Sequence, residues 1–138
     1  MKYLVISCTG RQGSAVADVL LAQGREVAGT ARNPDTSEAR MLVDRGVSKV
    51  YRADCGDVDA LEAAIRESGA GRVWFTSHLA PGRLWASRSK EAAEGRAVVD
   101  AVRRCGEQVG HIVYNSVCDA DTCPASVQHF HAKADVET

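Results

Sequence analysis

The feature that most constrains the fold is a short apolar run near the start of the chain that ends in a turn of small residues. The run from Tyr3 to Cys8 is followed by Thr9-Gly10-Arg11-Gln12-Gly13-Ser14, where a helical pattern begins. Such a run predicts a buried central strand of a parallel sheet. The two glycines allow close approach of a bound group, and the free N–H groups of the helix start favour an anion. The stretch predicts a pyrophosphate-binding turn, although two glycines at such a turn also occur where only tight packing is needed.

Four further strands alternate with helices after this turn. Strands are predicted at 26–32, 47–53, 72–77 and 111–116, and the segment 78–90 is predicted to be a loop. Short connections between alternating strands and helices indicate right-handed crossovers and a parallel sheet covered on both faces. We therefore expect an α/β fold, a Rossmann-like doubly wound sheet with strand order 3-2-1-4-5, as a single domain over residues 1–138.

Two helix starts carry recognisable caps. Asp35 and Glu38, three residues apart, predict a capping box for the second helix, and Asp57 is predicted to cap the third. Gly24 and Gly46 are placed where the first two helices should end. The helix boundaries therefore support the alternating pattern.

Composition argues against several classes of function. A net charge of −1 provides no basic surface for nucleic acid, and a hydrophobic content of 45% with 25% charged residues disfavours a membrane-spanning chain. Five cysteines with no CxxC pair indicate reduced thiols and a cytoplasmic setting. Cys118, Cys123, His129 and His131 lie close in sequence, but their spacing matches no zinc pattern, so no metal site is predicted.

Residues just past the second and third strands are candidates for the adenosine end of a dinucleotide. Arg32 stands where an NAD-binding domain usually has an acidic residue, and a guanidinium there can hold a 2′-phosphate. This favours NADP(H) over NAD(H), against the alternative of a solvent-facing arginine at a turn. Asp54 could accept a hydrogen bond from the adenine amino group, or serve as a turn residue beside Gly56.

Residues past the last two strands are candidates for the nicotinamide end. Thr76, Ser77 and His78 should pass the pyrophosphate and the nicotinamide ribose. His78 could act as an acid or base, but a lone loop histidine is more often polar surface. Trp85 could cover the nicotinamide, though packing beneath the loop is the commoner role. Ser116 follows the fifth strand.

Several segments have counterparts, in the same order, in one protein family. The chain resembles the amino-terminal part of the NmrA-like proteins, an atypical branch of the short-chain dehydrogenase/reductases, and the Thr-Gly-x-Gln-Gly and His-Phe-x-x-Lys segments are the most specific. The matching segments are Cys8-Thr9-Gly10-Arg11-Gln12-Gly13, Ala31-Arg32-Asn33-Pro34, Ala53-Asp54-Cys55-Gly56-Asp57, Glu91-x-x-x-Gly95-Arg96, Val113-Tyr114-Asn115-Ser116 and His129-Phe130-x-x-Lys133.

The resemblance implies NADP(H) binding through residues 9–12, Arg32 and Lys133, with Lys133 holding the nicotinamide ribose. It places His129 where active short-chain dehydrogenases carry a proton-donating tyrosine. Histidine titrates near neutrality without help, but its reach is shorter. The candidate catalytic residues are thus Ser116, His129 and Lys133, and the candidate cofactor-binding residues are Ser7, Thr9, Gly10, Arg11, Gln12, Gly13, Arg32, Asn33, Asp54, Cys55, Thr76, Ser77, His78 and Lys133.

Three functions are compatible with these residues. The first is a redox or nucleotide sensor that binds NADP(H) and acts on a protein partner, because family members without the tyrosine include such regulators. The second is an NADPH-dependent reductase of quinones or carbonyls, and the third is an incomplete Rossmann domain that serves as a structural module.

Two departures from the family pattern affect the choice among these functions. Ser7 replaces a glycine, which would impose strain if that position requires a positive φ. Relatives continue past residue 138 into a substrate- or partner-binding lobe. We therefore expect either a piece of a longer protein or a short form that covers the edge of the fifth strand by self-association.

Overall fold

The structure, a computed structural model, describes residues 1–77, 88–124, 126 and 128–138, including all of their side chains except those of 128 and 129. Two of the candidate residues, His78 and Trp85, lie outside the described residues, as does the side chain of His129. Most of the predicted loop at 78–90 is outside them as well.

Strands and helices alternate along the chain as predicted. The strands are all parallel and form a five-stranded sheet in the order β3-β2-β1-β4-β5, which confirms the predicted topology. A 3₁₀ turn at Gly106–Gln108 precedes β5. The elements are β1 Lys2–Val5, α1 Arg11–Ala22, β2 Glu26–Ala31, α2 Ser37–Arg45, β3 Val50–Arg52, α3 Val58–Ser68, β4 Arg72–Phe75, α4 Arg88–Arg104, β5 His111–Tyr114 and α5 Gln128–Glu137.

The core lies on both faces of the sheet because successive side chains of a strand point to opposite sides. Leu4 belongs to the cluster beneath α3 and α4, together with Leu61 and Val98. Its neighbour Val5 belongs to the cluster beneath α1 and α2, together with Leu42. Every residue of the central strand past Tyr3 is therefore buried, which explains the unbroken apolar run in the sequence.

The start of α2 differs from the prediction. Thr36 is the N-cap, and its Oγ1 accepts a hydrogen bond from the backbone N–H of Ala39 at 3.3 Å. The N–H of Asp35 instead donates to Asn33 Oδ1 at 3.0 Å, which closes a turn that ends one residue before the N-cap. The predicted capping box between Asp35 and Glu38 is therefore wrong, because the turn at Asn33 keeps Asp35 outside the helix.

The other predicted helix ends agree with the structure. Asp57 Oδ1 accepts from the N–H of Ala60 at 3.0 Å, which confirms the predicted cap of α3. Gly24 and Gly46 both follow helix ends with positive φ, at 71° and 122°. These conformations are ones that glycine adopts without strain.

The strands β4 and β5 end sooner than predicted. The ladder stops at Phe75 and Tyr114, and only one further bond, from the N–H of Asn115 to the carbonyl of Phe75 at 2.9 Å, extends it. Beyond that point the carbonyl of Ser77 accepts from a side chain rather than from a neighbouring strand. The backbone that follows β4 therefore lies outside the ladder, where it can line a site.

The strand β5 pairs with β4 on one side, and no second neighbour occurs in the part of the chain that the structure describes. Ile112 and Val113 of this strand are exposed. Among the described residues, no helix is long and apolar enough to cross a membrane.

Candidate nucleotide-binding site

The glycine turn, residues 7–13, leaves the carboxyl end of β1 and is held by the end of β2. The N–H of Ser7 donates to Thr30 Oγ1 at 3.1 Å, and the N–H of Cys8 donates to the Thr30 carbonyl at 2.9 Å. Ser7 has a φ of 55°, in the left-handed region that costs a non-glycine residue about 1–2 kcal/mol. Ser7 therefore has the positive φ that was expected to impose strain on a residue other than glycine. The hydrogen bond from its N–H to the buried Thr30 side chain offsets part of this cost.

The side chain of Ser7 contacts the loop that follows β3. Its Oγ lies 3.0 Å from Cys55 Sγ, past the end of β3. Burial raises the pKa of the Cys55 thiol, and the hydrogen bond with Ser7 acts in the opposite direction. The contact joins the turn to the loop that also carries Asp54.

The last three residues of the turn, 11–13, are the first residues of α1, and Gly13 packs against Ser7. A Cβ added to Gly13 would overlap the Ser7 carbonyl oxygen and lie 2.9 Å from Cys8 Cα. Gly10 is the N-cap of α1, and no side chain caps the helix there. The first N–H groups of a helix have no partner within it, and they carry the positive end of its dipole. The turn therefore presents uncapped donors, at 11–13, to an anion at the carboxyl edge of the sheet.

Arg32 and Asp54 share one pocket of about 330 Å³ at the ends of β2 and β3. Lys90 and Glu94, from the first turns of α4, complete its charged lining. Burial raises the pKa of Glu94, and the charge of Lys90 opposes that shift. The pocket thus brings two cationic and two carboxylate side chains together at the ends of β2 and β3, and its cationic groups are able to bind a phosphate through charge-assisted hydrogen bonds.

Lys133 is bound by the residues that follow β4. Its Nζ lies 3.0 Å from the Ser77 carbonyl, 3.2 Å from Ser77 Oγ and 3.5 Å from Thr76 Oγ1. It also pairs with Glu91 Oε1 at 3.3 Å, and only 11% of the lysine side chain and 2% of the glutamate side chain are exposed. The structure therefore brings three predicted residues, Lys133, Thr76 and Ser77, into one buried group.

Ser77 links this group to Tyr114 at the end of β5. Its Oγ donates to Glu91 Oε1 at 2.9 Å and lies 2.8 Å from the Tyr114 hydroxyl. Since the serine has a single proton, the tyrosine hydroxyl donates in the second bond. Burial raises the pKa of Tyr114 to about 12, and the hydrogen bond to Ser77 opposes that shift. We call Thr76, Ser77, Glu91, Tyr114 and Lys133 the lysine cluster.

Ser116 lies apart from the lysine cluster in its contacts. Its Oγ donates to a carboxylate oxygen of Glu137, and Lys133 makes its hydrogen bonds with Thr76, Ser77 and Glu91 rather than with Ser116 in the part of the chain that the structure describes. The neighbouring Asn115 donates from Nδ2 to Gln12 Oε1 at 3.1 Å. This bond connects the end of β5 to the glycine turn. The catalytic roles of Ser116, Lys133 and His129 remain predictions.

The remaining predicted residues lie on the same edge of the sheet. Thr9 is half-buried within the turn, and Arg11 is the exposed first residue of α1. Asn33 is exposed just past β2.

Cys123, in the loop before α5, lies near a histidine of that helix. The distance from Cys123 Sγ to His131 Nε2 is 3.5 Å, and the residues described by the structure hold no group of three or more side chains able to bind a metal.

The sequence matches the model of the NmrA-like family over residues 1–138. The chain belongs to the NmrA-like family. The resemblance that the glycine turn and the segment around Lys133 indicated is thus confirmed, and so is the Rossmann-like architecture.

Solved structures with the same fold include proteins of different activities. The NADPH-dependent quinone oxidoreductase of Escherichia coli, in complex with NADPH, is 26% identical with a TM-score of 0.75 over 99% of this chain. The negative transcriptional regulator NmrA, in complex with NADP, is 21% identical with a TM-score of 0.74 over 99% of this chain. UDP-glucose 4-epimerase of Thermus thermophilus, in complex with NAD, is 23% identical with a TM-score of 0.71 over the same share. This NmrA-like chain spans 43%, 40% and 49% of those chains, respectively.

Sequence reasoning about this NmrA-like chain missed four site residues. Glu91, Lys90 and Glu94 lie in the first turns of α4, and Tyr114 is the last residue of β5. Helical periodicity placed α4 but could not show which turn faces the end of β4. Glu91 and Tyr114 stand in segments that match the family, but the resemblance assigned neither side chain to the site.

Proposed function

We propose that this NmrA-like chain binds NADP(H) and acts as a nucleotide-sensing, regulatory domain. The observation that carries the proposal is the uncapped start of α1, pressed against the glycine turn at the carboxyl end of the central strand. Backbone N–H groups and the helix dipole at such a point favour the pyrophosphate of a dinucleotide. Binding of the nucleotide at this edge of the sheet would be the event that the domain senses, whichever protein partner responds to it.

Arg32 supports a preference for the 2′-phosphorylated nucleotide. It lines the pocket at the ends of β2 and β3, in which Lys90 supplies a second positive charge. A guanidinium can bind a phosphate through two parallel hydrogen bonds, whereas the NAD ribose would leave that capacity unused. Asp54 and Glu94, in the same pocket, are candidate acceptors for the adenine amino group.

The contacts of Lys133 and Ser116 support sensing over catalysis. An ammonium group has three protons, and Lys133 has four protein acceptors within 3.5 Å. Ser116 is engaged with Glu137, and position 129 is a histidine rather than the tyrosine of active relatives. A domain with this arrangement can hold a nucleotide without having assembled a proton donor for hydride transfer.

Calorimetric titration with NADPH, NADP⁺ and NADH tests binding and its preference. We expect Arg32→Glu to weaken NADPH binding about tenfold or more, because a hydrogen bond to a charged group is lost, and to shift preference towards NADH. Arg25→Glu is the matched control, since it makes the same charge change on an exposed residue at the other end of β2. Absence of heat and of any thermal shift with millimolar nucleotide would overturn the proposal and leave a structural module.

A second candidate function is an NADPH-dependent reductase. It is favoured by the 26% identity to the Escherichia coli quinone oxidoreductase. Loss of NADPH absorbance with a panel of quinones and aldehydes tests it, with the His129→Ala, Lys133→Ala double variant as the control. Oxidation that stays at background for the wild-type chain would exclude this function, and full activity of the double variant would remove both residues from the reaction.

A further inference from the structure

A cysteine and a histidine form a contact that the proposed function does not use. Cys123 Sγ lies 3.5 Å from His131 Nε2, and both side chains are half-buried. The loop that carries Cys123 turns at Asp119, whose carbonyl accepts from the N–H of Cys123 at 3.0 Å. His131 lies near the start of α5, so the contact joins this loop to the helix.

The other partners of the two side chains indicate where a proton can move. Cys123 Sγ lies 3.4 Å from the Ala120 carbonyl, and His131 Nε2 lies 3.3 Å from the Pro124 carbonyl. Because a carbonyl oxygen only accepts, the contact with Pro124 stabilises a proton on Nε2. The imidazole can therefore take the proton of the thiol, since the resulting N–H group faces two acceptors, the thiolate and the carbonyl.

A guanidinium also lies near the pair. Arg88, at the start of α4, binds both carboxylate oxygens of Asp135 at 2.6 Å. These hydrogen bonds raise the pKa of Arg88, and its electrostatic interaction with Cys123 acts in the same direction. They also lower the pKa of Asp135, and the charge of His131 contributes to that shift. The thiol thus stands near an arginine and a histidine, surroundings in which reactive cysteines occur.

We propose that Cys123, with His131 as its base, is a nucleophilic thiol that a hydroperoxide oxidises. The sulfur attacks one oxygen of the peroxide, the O–O bond breaks, and the sulfur becomes a sulfenic acid. His131 takes the thiol proton and passes it to the departing hydroxide, so the thiol and hydrogen peroxide yield a sulfenic acid and water. The sulfur loses two electrons, and the peroxide gains them. The inference does not rest on NADP(H) binding, because neither residue is a candidate nucleotide-binding residue.

The other cysteines of the chain provide the comparison. Cys8 and Cys105 are buried, and burial raises the pKa of the Cys55 thiol. Cys118 is exposed in the same loop as Cys123. Exposure alone would therefore make Cys118 the most reactive thiol, whereas activation by a histidine makes it Cys123.

Trapping of the sulfenic acid with dimedone, in the folded chain without nucleotide, tests the inference. Cleavage before Asp119 and Asp121 places Cys118 and Cys123 in different peptides, and mass spectrometry gives the labelling rate of each. We expect Cys123 to be labelled faster than Cys118 in dilute hydrogen peroxide. His131→Gln removes the base but keeps an amide donor, so it should slow Cys123 about tenfold or more and leave Cys118 unchanged.

The matched control is His111→Gln, which makes the same change on an exposed residue at the start of β5 and should alter neither rate. Thermal melting shows whether each variant is folded. A loosened loop would expose Cys123 and speed its labelling, so unfolding does not account for a slower rate in His131→Gln.

Two results would overturn the inference. One is faster labelling of Cys118 than of Cys123 in the wild-type chain, and the other is an unchanged or faster Cys123 rate in His131→Gln. A chain that binds no NADP(H) but shows the expected rates would remove the proposed function and leave this inference standing.

Discussion

The glycine turn and the lysine cluster lie on the same edge of the sheet but are built in opposite ways. The turn is a contiguous stretch, residues 7–13, and it presents backbone N–H groups that any sequence with the right glycines would present. The cluster joins side chains from the ends of β4 and β5 and from α4 and α5, and Thr76 and Lys133 are 57 positions apart in the sequence. One half of the candidate site depends on local geometry, and the other depends on how the helices pack.

The two regions also differ in what their charges cost. The donors of the turn are uncharged backbone groups, so leaving them without a ligand costs less than burying an unpaired charge. The ammonium of Lys133 and the carboxylate of Glu91 are buried, and each is tolerable only because the other is present. Substitutions in the lysine cluster should therefore lower the free energy of unfolding by leaving a buried charge unpaired. Substitutions in the turn should lower it through steric overlap with the backbone.

The largest effect is expected for Lys133→Met. This change keeps much of the aliphatic stem but leaves the Glu91 carboxylate buried without its counter-charge. Removing one partner of a buried pair costs about 3–5 kcal/mol. Urea denaturation monitored by circular dichroism measures the change in the free energy of unfolding.

The double variant Lys133→Met, Glu91→Gln is the control for that prediction. It removes both charges, so it should be more stable than Lys133→Met alone. A double variant that is less stable than Lys133→Met would show that the cluster does not act as an ion pair.

Gly13→Ala tests the turn. An alanine in place of glycine within a helix normally gains about 1 kcal/mol. Here the new methyl group would overlap the Ser7 carbonyl, so we expect a net loss of about 1–3 kcal/mol in the free energy of unfolding. Gly110→Ala is the control, because a Cβ there meets nothing within 4 Å. Equal stability of the two variants would mean that Gly13 does not pack against the Ser7 carbonyl.

The same contrast explains what could be predicted from the sequence. The strand order, the glycine turn and the positions of Arg32 and Asp54 follow from apolar runs and turn residues, each legible within a few positions. Glu91 and Tyr114 could not be found in that way, because their roles arise when α4 and β5 pack beside Ser77. The prediction of the α2 cap failed for a local reason, since Asn33 forms a turn that a spacing rule does not detect.

Gly95→Ala extends the comparison to the helix packing that positions Lys133. A Cβ on Gly95 would overlap a methyl group of Val136, so α5 lies close against α4 at this point. We expect a loss of about 1–3 kcal/mol, together with weaker NADP⁺ binding if Lys133 moves with its helix. The Val136→Ala change removes the overlapping methyl groups, and the double variant should recover part of the loss, with a coupling energy of about 0.5–3 kcal/mol. Strict additivity of the two changes would contradict this contact.

The smallest effect concerns the cap of α2. Thr36→Ala removes the side-chain acceptor for the N–H of Ala39, which should lower the free energy of unfolding by about 1 kcal/mol. Asp35→Ala removes only an exposed ion pair with Arg52 at 3.2 Å, and such pairs contribute about 0–1 kcal/mol. Denaturation of the two variants side by side should therefore rank Thr36→Ala as the more damaging. The reverse order would restore Asp35 as the cap, and it would mean that spacing alone had located this helix start correctly.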